Sequence, residues 1–528
     1  MAPVNWIIVG GYIAFMLWLG YRVGRSQESQ EDYYLGGRAV PFWLVGSSLM
    51  ANQVSTISLI GAPAFIALRE GGGLIWLQYE LAVPLAMIVI IMVLLPVYWR
   101  SGGTTIYEYL EGRFGASSRL AMGFIFLVNR SLGAGVILLA TSYVASALLG
   151  LGLGRTILLV GAVSLAYTSL GGIRADIYSD MLQLVILWIG SLACIWIMVE
   201  AIGPGLSFPA AEAGRLAVFD LASPGIGDGR TFSFWPMLFG GVFLYVSYYG
   251  CDQSQAQRLL ATRDMGSAAK ALVLNGVARF PLVLTYCAIG LLMIPFLASH
   301  PDFAESLAGA PPDYLMPRFF VRYVPDGLLG VIVMGILAAS MSSIDSTINS
   351  LSAVTWEDFA RRIAPGIDAL PDRRKVLYSR LITVAWGGLA IAFAMAMAGR
   401  SETVIELINK IGSTFYGPVA GVFLLGVLSR RARGWAALAG LAAGVALNLV
   451  LWMFFEGRIS WMWWNVTGLA VTMGLGRLLS LWGPAAGPES GLAWKKGAPR
   501  YRLLLAWFVL IMAACVALER GLVYILER

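Results

Sequence analysis

Charge is scarce in this chain: Asp, Glu, Lys and Arg make up 13% of its 528 residues, about half the share in soluble proteins. A surface that poor in charge cannot face water everywhere, which excludes a soluble globular protein. Histidine occurs once, at His300, and the four cysteines (Cys194, Cys251, Cys287, Cys515) are scattered, so there is neither a zinc pattern nor a disulfide framework. No G-x-S-x-G, P-loop or His-metal motif occurs, and the glycines at Gly150–Gly154 do not sit between a strand and a helix. With no nucleophile–base pair in view, an enzyme is the poorest fit.

Long apolar runs are what the chain has instead, 58% of it being hydrophobic. Runs bounded by charge predict fourteen membrane helices, at about 4–21, 42–68, 74–99, 119–149, 155–170, 177–201, 234–250, 271–298, 327–355, 376–398, 403–429, 433–456, 460–482 and 501–522. No basic leader or cleavage pattern accompanies the first, so it reads as a retained helix. Of the 37 basic residues four fall within or at the edge of spans, and alternate loops divide the rest unevenly, 23 against 10, with Arg258 among the richer set. The richer side is expected in the cytoplasm, which puts both termini outside and makes the net charge of +7 a matter of topology rather than nucleic-acid binding. The lipid bilayer is thus the expected partner, and no obligate protein partner is evident.

Two runs carry polar residues where a helix could break: Ser47–Gly61, "SSLMANQVSTISLIG", and Gly240–Gln257, "GGVFLYVSYYGCDQSQAQ". They are five spans apart, the arrangement expected if spans 2–6 and 7–11 form an inverted pair. Ionisable residues inside a bilayer cost several kcal/mol unless partnered or wetted. Arg130 lies a third of the way into its span, Asp176 and Asp180 at the entry of the sixth, and Asp345 midway along the ninth. Snorkelling to the headgroups would also account for Arg130, and interfacial solvation for Asp180.

The sharpest local pattern is Ala339, Ser342, Ser343 and Ser346, spaced i, i+3, i+4 and i+7 on one helix face. Hydroxyls beside an unwound helix that offers carbonyls would suit a hard cation such as sodium. The same small-residue stripe would equally serve close helix packing. The tryptophans of "RISWMWWN" (Trp461, Trp463, Trp464) read as an interfacial belt, and Glu406 with Lys410 as an i, i+4 ion pair.

Taken together and in order, "YYLGGRAVPFWLVGSSLMAN", "YTSLGGIRADIYSDMLQ", "YYGCDQSQAQR", "MSSIDSTINS" and "GSTFYGPVAGVFLLG" resemble the sodium/solute symporter family, over roughly 1–480. The resemblance implies an all-α, leucine-transporter-like membrane protein of about fourteen helices in a single transport domain. Its parts would be an extra N-terminal helix and loop (1–41), a first core repeat (42–201), a second (234–429) and C-terminal extra helices (433–528). Alternating access driven by Na+ would import a small polar solute, and likeness to bacterial carriers implies an inner membrane. A principal sodium site would use the carbonyls of Ala51, Val54 and Ala339 and the hydroxyls of Ser342 and Ser343. Asp180, Asp345 and Ser346 would form a second sodium site, Asp345 standing where sialic acid carriers have Ser. For substrate, the sialic acid type of carrier suggests Gln53, Ser55, Ser58, Gln78 and Arg130, the last clamping a carboxylate. A neutral sugar or amino acid, an uncoupled facilitator, or a transporter-like sensor are the competing readings at this stage.

Overall fold

The computed structural model describes residues 2–24, 30–54, 56–204, 208–398, 404–481 and 500–526. Among them there is no sheet, only two isolated bridges, Val40 to Thr262 and Ile226 to Ile459. In a bilayer every backbone amide must be satisfied within its own segment, so an apolar chain of this kind becomes helical. The principal helices are α1 (Pro3–Gly24), α2 (Phe42–Gln53), α3 (Thr56–Ala67), α4 (Leu74–Ser101), α5 (Tyr107–Phe114), α6 (Ala116–Leu149) and α7 (Leu153–Ile202). They continue with α8 (236–251, largely π-type turns), α9 (Gln253–Leu260), α10 (Met265–Ser299), α11 (Leu328–Val354) and α12 (Asp372–Met397). The C-terminal group is α13 (Val404–Leu428), α14 (Gly434–Phe455), α15 (Trp463–Leu479) and α16 (Arg500–Leu526).

All fourteen apolar runs fall on helices, but not all are full spans. Among the described residues ten helices are long and apolar enough to cross a membrane, eleven with the bent pair α2–α3. The runs at 155–170, 234–250 and 460–482 fall short: the first is the Leu153–Ala166 part of α7, the second is the broken α8, and α15 has 17 residues. Hydropathy counts apolar residues, and it is blind to where the hydrogen-bonding pattern changes. The fifth and sixth runs, expected as separate helices, lie on one 50-residue element, α7.

The helices form a centre and a rim. In the apolar 18-residue stretch that marks each span, 89% of α13, 75% of α11 and 72% of α6 is buried within the protein, against 28% each for α1, α12 and α14 and 17% for α16. The rim exposes large apolar side chains such as Trp196, Phe454 and Val509, as a lipid-facing surface must. One expectation changes here. Trp461 and Trp464 are buried, packed against Phe232 and Trp452, and are not an interfacial belt. Lys410 pairs with Glu456 at 2.6 Å; the expected Glu406–Lys410 pair lies outside the described residues, because the Glu406 side chain does.

Candidate functional site

Two helices break at the centre of the molecule. α2 stops at Val54, whose φ −88, ψ 72 is non-helical, and the chain turns 49° into α3. α8 stops at Asp252, whose φ −103, ψ 127 is extended, and whose carboxylate caps α9 by accepting from the Ser254 amide at 2.9 Å. A helix end leaves its last carbonyls without intrahelical donors, so each break presents backbone polarity inside the membrane. The two breaks meet: the Tyr248 hydroxyl, one turn before Asp252, donates to the Asn52 carbonyl at 3.5 Å.

Beside them is a cavity of about 90 Å³ whose lining includes the polar and aromatic groups Gln53, Ser58, Tyr79, Glu80, Arg130, Tyr248, Arg279 and Tyr416. The structure therefore brings Gln53, Ser58 and Arg130 of the expected substrate set together. Gln78 is not part of the lining; its amide donates to the Ile75 carbonyl (3.1 Å) and accepts from the Asp220 amide (3.1 Å). Ser55 lies outside the described residues.

Arg130 does not snorkel. It is buried, its Nε donates to Asp252 Oδ2 at 2.5 Å, and its guanidinium lies 4.7 Å from the centre of the Tyr248 ring. Its Nη2 is buried and makes no hydrogen bond, so half of the fork is uncommitted. A second pair lines the same cavity: Arg279 grips Glu80 through both arms of its fork, at 2.6 and 3.0 Å, and donates to Tyr245 and Tyr249 at 2.8 Å each. The sequence reading missed Asp252, Glu80 and Arg279. Lone charges inside apolar stretches, as in "QYELAV" and "VARFPL", were the available signal.

On the expected principal sodium site, α2 packs against α11, so Ala51 and Val54 lie on one partner and Ala339 and Ser343 on the other. All four are buried, and the Ser343 hydroxyl donates to the Ala339 carbonyl at 3.1 Å. The Ser342 side chain lies outside the described residues.

Of the residues expected to hold a second sodium, Asp180 and Ser346 are engaged by an arginine. Arg258, counted from sequence as a loop residue, is buried and donates through Nη2 to Asp176 (2.7 Å), Asp180 (3.2 Å) and the Ser346 hydroxyl. Its Nε donates to Ser48 Oγ at 2.6 Å and its Nη1 to the Ser254 carbonyl at 2.6 Å. Ser48 in turn donates to Asp180, and the Ser346 hydroxyl lies 2.9 Å from both oxygens of Asp176. Asp180 is thus not solvated at an interface. Asp345 is buried, within electrostatic reach of Tyr12 and Tyr33.

Comparison with known proteins agrees with this architecture. The sodium:solute symporter family matches residues 33–444. The human sodium/iodide cotransporter is 30% identical over 444 residues, 82% of this chain and 66% of that protein. Sodium-coupled monocarboxylate transporter 2 of Danio rerio is 30% identical over 434 residues, 80% of this chain and 67% of the relative. A putative sodium-dependent multivitamin transporter of Drosophila melanogaster is 30% identical over 469 residues, covering 84% and 73%. The chain spans about two thirds of the length of these relatives. Among solved structures, a substrate-bound, outward-open Na+-coupled sialic acid symporter superimposes with a TM-score of 0.79 at 23% identity, over 92% of this chain and 99% of that one. Mhp1, a nucleobase-cation-symport-1 family transporter, gives 0.52 at 14% identity, over 90% and 98%. The fold is the leucine-transporter-like one. The chain belongs to the sodium:solute symporter family.

Proposed function

We propose that this member of the sodium:solute symporter family imports a small organic anion, a carboxylate, together with sodium. One observation carries the substrate class: Arg130 is buried against the cavity with Nη2 uncommitted while Asp252 holds Nε. A guanidinium fork anchored on one side and open on the other suits a carboxylate, which takes parallel N–H donors. Relatives named for iodide and monocarboxylates support an anion. A zwitterion is the second reading, favoured by the acids matched to both cavity arginines, Asp252 to Arg130 and Glu80 to Arg279.

The sodium ion is placed between the carbonyls of Ala51 and Val54 on α2 and the oxygens of Ala339, Ser342 and Ser343 on α11. Those helices belong to different repeats, so the ion would hold the repeats in the conformation that also completes the substrate cavity. Ion and substrate that favour one state help each other's binding by the same factor. The basic loops are assigned to the cytoplasm, with both termini outside. A sodium ion carried with a monovalent carboxylate moves no net charge, so the sodium concentration gradient drives uptake, and a tenfold gradient, worth about 1.4 kcal/mol, supports roughly 10-fold accumulation.

The test is uptake of short monocarboxylates, sugar acids, amino acids and neutral sugars into proteoliposomes, with an inward sodium gradient or with potassium in its place. Sodium-driven accumulation of a carboxylate is expected. Flux that is indifferent to sodium and never concentrates the solute would return the protein to the facilitator reading.

A further inference from the structure

The rim helix α12 divides its residues cleanly between two faces. Ser379, Thr383, Gly387, Ala390 and Ala394 are buried against the protein. Leu377, Tyr378, Leu381 and Val384 are exposed and form an apolar stripe on the opposite side, the surface that lipid covers. Arg373 and Arg374 extend that stripe by one turn toward the start of the helix. Arg373 stands four residues before Leu377 and Arg374 four before Tyr378, and both arginines are exposed.

We propose that Arg373 and Arg374 bind an anionic phospholipid of the adjoining leaflet, its phosphate on the two guanidinium groups and its chains along the α12 stripe. The inference goes beyond the transport reading and needs neither the solute nor the ion. The orientation assigned above makes that leaflet the cytoplasmic one.

Three features carry it. Arg373 and Arg374 make no ion pair or hydrogen bond among the described residues, whereas basic residues around them do. Lys375 pairs with Asp372 at 3.4 Å, Arg361 with Asp368 at 2.8 Å and with Glu357, and Arg362 with Glu111. Helix stability does not account for the two arginines either, because the first turn is the positive end of the helix dipole and disfavours basic side chains. An anion bound there removes that repulsion. Apolar surface, finally, adjoins the charges on both sides: the α12 stripe beyond them, and in the segment before them Ile363, which is 81% exposed. A soluble phosphate would use the charges alone. Only a lipid uses the charge and the stripe together, and each basic residue at an anionic leaflet is worth roughly a 5-fold preference.

Native mass spectrometry of the delipidated full chain, titrated with phosphatidylglycerol or phosphatidylcholine, counts bound lipids directly. The first phosphatidylglycerol is expected to bind roughly 25-fold more tightly than phosphatidylcholine, the product of two such preferences. Arg373→Gln with Arg374→Gln should remove most of that difference, and Arg373→Lys with Arg374→Lys should keep it. The control is Arg430→Gln with Arg431→Gln, which removes two exposed charges after α13, the most enclosed of the spans, and should also keep the preference. Equal affinity of the wild type for both lipids would overturn the site, as would an equal loss in the control variant, which would leave only a generally basic face. Glycerol phosphate in tenfold excess over the lipid should displace nothing; displacement would make this a soluble-anion site and overturn the lipid assignment.

Discussion

Arg130 Nε and Asp252 Oδ2 lie 2.5 Å apart, joining the middle of α6 to the break between α8 and α9 across 122 residues of sequence. The pair sits where the transported solute would reach the arginine, so it sets the free charge the solute meets. Arg130→Ala is expected to weaken carboxylate uptake roughly 10- to 150-fold, the range for a charge-assisted hydrogen bond of about 1.5–3 kcal/mol. Asp252→Asn keeps the cap on α9 and removes only the charge, so it should lower the KM for anions. Concentration dependence of uptake measures both, and an Arg130→Ala variant with ordinary kinetics would remove the clamp.

Ser343→Ala, alone or with Ser342→Ala, should raise the sodium concentration for half-maximal uptake by at least the roughly 10-fold that even outer-shell losses cost metal sites. The solute KM measured at saturating sodium should change far less. A sodium titration of uptake decides the matter; an unmoved midpoint in the double variant would relocate the ion.

Glu80 and Arg279 are a buried pair with a bidentate fork. Breaking such a pair from one side typically costs about 3–5 kcal/mol, because the other charge is left in a low dielectric. Glu80→Gln and Arg279→Gln should each lower the unfolding temperature in detergent markedly. The double variant should recover much of the loss. Additive losses would mean that the two residues do not act as a pair.

α14 and α15 pack through glycine: a Cβ on Gly440 would come 2.4 Å from the Thr472 carbonyl oxygen, and backbone cannot yield as a side-chain tip can. Gly440→Ala is expected to cost about 1–3 kcal/mol, the usual penalty for overpacking. Gly388→Ala on the rim, with nothing within 4 Å of the added atom, should be close to neutral. Thermal unfolding of the two variants side by side tests this.

Much of the fold was legible because its causes are local. Each apolar run falls on helix, the polar stretch Ser47–Gly61 contains the bend at Val54, and the Ala339–Ser346 stripe lies on α11, a largely buried helix that packs against α2. The partners of the charges were not legible. "QSQAQR" has the composition of a water-exposed loop, yet every residue of α9 is buried, because polar groups satisfied by other protein segments look the same in sequence as groups satisfied by water. The tryptophans at Trp461 and Trp464 posed the same ambiguity, since an aromatic cluster suits an interface or a core.

By itself, then, the sequence determined that this is a helical membrane protein of the sodium:solute symporter type, with a break in the helix that opens its first repeat. Transfer energies and backbone hydrogen bonding depend on near neighbours along the chain, so a linear string of residues is enough to specify them. Only the tertiary structure decided that Arg130 faces Asp252, that Arg279 faces Glu80, and that Arg258 bridges Asp176 and Asp180. A charge buried in a low dielectric is governed by whichever opposite charge the fold brings within about 3 Å, and here those partners lie 78 to 199 residues away.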